Sequence, residues 1–150
     1  MANDAGARRF AVSHLESLSA WPADRHVPGE QFCLLLLIEH STVDIDTVQQ
    51  FAFQAISQGL VYLCVWGPDS VWFEQVVDQV YEAGVEGREF TSPLVTTAHR
   101  DLQEAFLFFE NDATPDNCDL WWIVSVGEVS QADATMHEFA LRHPVTTIAR

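Results

Sequence analysis

Four strand-length stretches rich in apolar and β-branched residues recur along this chain, and each is followed by a segment with helical spacing. The stretches are Cys33–Ile38, Leu60–Trp66, Leu94–Ala98 and Leu120–Val126. They do not alternate strictly between polar and apolar residues, as a strand wetted on one face would. Near-continuous apolar strands are expected where helices cover both faces of a sheet. This recurrence restricts the fold more than any other feature.

The intervening segments keep apolar side chains three and four residues apart. Ile45, Val48, Phe51, Ala52, Ala55 and Ile56 share one helical face, and Gly59 ends it. Phe73, Val76, Val77, Val80 and Tyr81 share another, ended by Gly84. Leu102, Ala105, Phe106 and Phe109 form a third, and Ala132, Met136, Phe139 and Ala140 a fourth. "PVTTIAR", from Pro144, reads as a terminal strand that the proline can start. Phe10, His14/Leu15, Leu18 and Trp21 also follow helical spacing, which predicts an N-terminal helix over 8–21.

Repeated strand–helix units imply right-handed crossovers and parallel pairing. The expected fold is α/β, a three-layer sandwich with a four- or five-stranded, mainly parallel sheet in the flavodoxin-like order 2-1-3-4-5. Residues 1–150 read as one domain, with an N-terminal helix and loop over 1–30 and the sheet-and-helix core over 31–150.

Charge narrows the partners. The formal net charge is −15, and all seven basic residues are arginine. Such a chain lacks the cations that displace counterions from nucleic acid or an anionic membrane, so neither is expected as a partner. No apolar run is long enough to span a bilayer, and no apolar leader follows Arg8 and Arg9, so the expected compartment is the cytoplasm. Of three cysteines, Cys33 and Cys64 fall in strands and Cys118 in the polar "TPDNCD" loop. No Cys/His pair has metal-ligand spacing, so neither a metal nor a cofactor is expected.

Ligands of doubly wound sheets bind beyond the carboxyl ends of the strands, where strand order reverses. In the favoured order that crevice lies between the first and third stretches. It would collect Glu39, His40 and Ser41 with His99, Arg100 and Asp101, and Asp69, Ser125 and Glu128 stand on the same rim. His40, His99 and Glu39 are the candidates for acid–base work, and Arg100, Asp101, Ser41 and Asp69 for holding a ligand. A plainer account makes Asp101, Asp69 and Ser41 helix caps.

Known site patterns are absent. "HRDL" opens like a kinase catalytic loop, but Phe106 stands where that loop has Asn. There is no P-loop, dinucleotide glycine fingerprint, G-x-S-x-G or H-E-x-x-H. A phospho-receiver needs a lysine, and the chain has none.

The stretches "VYLCVWGPD", "TTAHRDLQEAFLFF" and "WWIVSVG" together resemble a family of small bacterial proteins of unknown function, over roughly residues 30–130. The W-G-P-D turn and the T-T-x-H junction are its most specific parts. The resemblance implies a small bacterial single-domain protein and supplies no catalytic residue.

The expected function is a non-enzymatic protein-binding factor, of immunity, inhibitor or accessory type, for a basic partner. Glu74, Asp78 and Glu82 recur every four residues and would form an acidic docking stripe. The alternatives are a small enzyme or nucleotide- or anion-binding domain using the rim, and a homo-oligomer subunit.

Overall fold

The computed structural model describes residues 8–22, 31–39, 43–84, 88–90, 93–116, 118, 120–128 and 130–147. Six strands build one sheet: β1 (Arg9–Leu15), β2 (Phe32–Ile38), β3 (Leu60–Trp66), β4 (Val95–His99), β5 (Leu120–Val126) and β6 (Val145–Thr147). Their order is β4-β3-β2-β5-β1-β6, and every pairing is parallel. Four helices join them: α1 (Ile45–Gln58), α2 (Ser70–Ala83), α3 (Leu102–Asn111) and α4 (Ser130–Arg142).

The α/β class and the four main strands follow the sequence reading, and the sheet is wider than expected, with six strands in place of four or five. The segment read as an N-terminal helix is instead β1 followed by a short 3-10 turn, Leu18–Ala20. Its apolar positions fit both periods. Phe10 and Val12 pack in one core and Ala11 and Leu15 in the other, as a strand inside a sheet requires. β1 pairs β5 on one side and β6 on the other. The 2-1-3-4-5 order is overturned as well, because β4 pairs with β3 at the outside of the sheet and leaves β2 between β3 and β5.

Each strand feeds two cores. Leu34 and Leu36 of β2 meet Val48, Phe51, Phe73 and Val77 of α1 and α2. Leu35 and Leu37 face Phe106 and Phe109 of α3 and Phe139 of α4. The adjacent Trp121 and Trp122 point to opposite layers, and both indoles are satisfied: Trp121 donates to the Ala113 carbonyl at 2.7 Å and Trp122 to Ser13 Oγ at 2.8 Å. Among the described residues, no helix is long and apolar enough to cross a membrane.

Gly67 marks where β3 turns into α2. Its φ is +151°, and a Cβ there would lie 2.0 Å from the Ile38 carbonyl oxygen. The ends of β2 and β3 can approach this closely only without a side chain. Gly67→Ala should therefore lower the denaturation midpoint markedly, whereas the exposed Gln75→Ala should not. Equal midpoints would show that the two strand ends separate freely.

Candidate functional site

Strand order reverses between β2 and β5, because the chain runs from β2 outward through β3 and β4 and then crosses to β5. The crevice therefore lies there, one position from where the favoured order put it. Glu39 leaves β2 at this point and reaches the N-terminus of α4. Its Oε1 accepts the Gln131 backbone N–H at 2.9 Å and its Oε2 the Ser130 hydroxyl at 3.2 Å. A helix N-terminus at the crevice is where such folds hold phosphate. Here the protein's own carboxylate occupies it.

The adjoining cleft is open to ligand. It has a volume of about 550 Å³ and lies over the ends of β5, β1 and β6, against the first turns of α4. His14 and Ser125 are direct neighbours on β1 and β5, and His14 Nδ1 lies 2.8 Å from Ser125 Oγ. Ser125 is buried and His14 exposed. Ser13, Glu128, Ser130, Asp133 and Thr147 add to the polar lining, with Val12 and Met136 as its apolar part. No arginine stands among the described lining residues. The arrangement presents hydroxyls, an imidazole and two carboxylates, which suits a cationic, hydrogen-bonding group.

The other residues expected at the rim are spread apart. β3 separates β2 from β4, so the loops after those two strands are not neighbours. His40 and Ser41 lie outside the described residues. His99 is buried, with Nδ1 2.6 Å from Glu104 Oε1, Nε2 2.8 Å from Thr97 Oγ1 and its ring 4.9 Å from that of Phe108. Both of its nitrogens are thus engaged within the protein. Asp101 caps α3 through the Glu104 N–H at 2.8 Å, and the exposed Arg100 takes the Trp66 indole N–H on its carbonyl at 3.1 Å. Asp69 stands at the start of α2 without a side-chain capping bond there.

The family pattern "Domain of unknown function (DUF7684)" matches residues 10–141. The chain belongs to that family. No curated protein and no solved structure matches it. The matched span takes in β1 from Phe10, and so includes His14 with Ser125.

A helical reading of residues 8–21 conceals His14. Read with a period of two, Phe10, Val12 and His14 share one face, and His14 then falls at a strand end on the ligand-binding rim.

The acidic stripe is partly engaged inside the fold. The Thr96 hydroxyl of β4 lies 2.7 Å from Asp78 Oδ1 and 3.2 Å from Glu74 Oε2, while Glu82 is exposed. Burial first, and then the neighbouring Asp78 charge, raise the Glu74 carboxyl above its ordinary range against the Thr96 hydrogen bond. Ionised Glu74 is thus less favoured in the folded chain than in the unfolded one. The penalty is full above the raised range and disappears below the ordinary one. Glu74→Gln should raise the melting temperature near neutral pH, and the two proteins should converge as the medium becomes acidic. A variant less stable at neutral pH would show the charge to be favourable where it sits.

Proposed function

We propose that this protein is a non-enzymatic binding factor for a basic protein partner, and that the cleft over β5, β1 and β6 seats a cationic side chain of that partner. The observation that supports this is the lining: two carboxylates, an imidazole and hydroxyls, with no arginine among the residues described. A formal net charge of −15 would steer a basic partner toward this surface. The capping of α4 by Glu39 speaks against a phosphate or nucleotide at the crevice.

A small enzyme is the second reading. It is favoured by the contact between Ser125 Oγ and His14 Nδ1, the pairing that activates a serine nucleophile. Covalent labelling of Ser125 by a fluorophosphonate would support it over the binding reading.

An arginine-rich peptide, free arginine and ATP, titrated separately into the purified protein, test the proposal. The peptide should bind, ATP should not, and free arginine should bind more weakly than the peptide. Asp133→Asn with Glu128→Gln should weaken the peptide by about tenfold, which is about 1.4 kcal/mol. Added salt should lower the association rate more than it raises the dissociation rate. Binding of ATP, or peptide binding indifferent to salt and to both substitutions, would overturn the reading.

A further inference from the structure

Two cysteines meet at the opposite end of the sheet, where the strands begin. Cys118, just before β5, has its Sγ 3.5 Å from Cys33 Sγ on β2. The same sulfur lies 3.6 Å from the Gln31 carbonyl oxygen and 3.5 Å from that of Leu120. Cys33 is fully buried and Cys118 half-buried, so Cys118 is the more exposed residue of the pair. Contact with Cys118 and burial together raise the Cys33 thiol far above its ordinary range, which keeps it protonated in the reduced protein. Cys64, on β3, is buried too and pushed up to about 12, mainly by burial. It is the internal control, a second buried thiol in the same core as Cys33.

We propose that Cys33 and Cys118 are a site of reversible disulfide formation, entered through Cys118 by a small disulfide such as oxidised glutathione. The Cys118 thiolate attacks one sulfur of the small disulfide, which breaks its S–S bond and expels one small thiolate. Cys33 Sγ then attacks Cys118 Sγ, which breaks the mixed disulfide, and the Cys33 proton passes to the second small thiolate as it leaves. Two protein thiols and one small disulfide become one protein disulfide and two small thiols, so electrons and protons balance. The sulfurs must close from 3.5 Å to a bond of about 2.05 Å. Cys33 lies within the sheet, whereas Cys118 belongs to the connection between α3 and β5.

The bond would join residues 85 apart in sequence, and so restrict the unfolded chain strongly. It lies at the start of β5, while Ser125 and the cleft lie at its end. Peptide binding at the cleft should therefore be the same in both redox forms, and the two proposals can fail independently.

The test treats the folded full-length protein with oxidised glutathione and reads mass and melting temperature. The expected product is lighter by about 2 Da, for the two hydrogens lost. It should melt several degrees higher than the reduced form, and dithiothreitol should reverse both changes. Chymotryptic mapping should place the crosslink between Cys33 and Cys118, and Cys64→Ala should still form it. Cys118→Ser should not lose the two hydrogens, while Cys33→Ser should stop at a glutathione adduct on Cys118. A stable adduct on wild-type Cys118, a crosslink through Cys64, or no reaction at all would overturn the proposal.

Discussion

Everything in this fold depends on the lateral pairing of β2 with β5, two strands whose seven residues each are all buried. Completely buried strands cannot lie at an edge or face water, so each needs a neighbour on both sides and helices above and below. Burying each Leu or Ile side chain contributes roughly 1.5–3 kcal/mol relative to exposure, and β2 alone carries four leucines and an isoleucine. The same pairing joins the half of the sheet made of β2, β3 and β4 with the half made of β5, β1 and β6. It also fixes the crevice, because order reverses only there.

Elements buried on two sides are plain in the sequence, since a seven-residue apolar run bounded by turn residues suits a strand covered above and below. Helices are legible as well: α1 ends at Gly59 in the left-handed conformation, although its start is capped by Asp44 and not by Ser41 as the sequence reading had it. Residues 8–21 are not, because Phe10, Leu15, Leu18 and Trp21 satisfy a helical period while the shorter alternation over 9–15 satisfies a strand. The available slot decides between them. β5 needs a second neighbour, and β1 fills that place with Phe10 packed edge-on to Phe139 at 5.1 Å. Strand order is equally hidden, because it is set by pairings between residues far apart in the chain, as His14 is from Ser125.

The site is legible in part for the same reason. Glu39, Ser125 and Glu128 are recognisable as rim residues because each follows or ends a strand-like run. Their companions are not, wherever their position depends on strand order: His99 belongs to the outer strand, and His14 comes in from the N-terminal segment. The scarcity of cations also shapes the cleft. Arg8 donates to the Glu110 carbonyl at 2.6 Å and lies over the Phe10 and Trp121 rings, while Arg142 and His143 hold the Glu110 carboxylate at 3.2 and 2.7 Å. These basic groups serve contacts around α3 and α4, which leaves Glu128 and Asp133 as the charges of the cleft.

The two carboxylates over Thr96 also bear on how the molecule behaves in company. Among the described residues β4 is the outermost strand, and its Val95 is exposed, and a margin with no strand beside it is a template on which another chain's strand could grow. Glu74 and Asp78 place negative charge beside that margin. An incoming copy of this acidic chain would bring its own like charges to the same place. Part of the acidity can thus be understood as protection of a sheet edge, by which a small α/β molecule resists stacking into aggregates at high concentration.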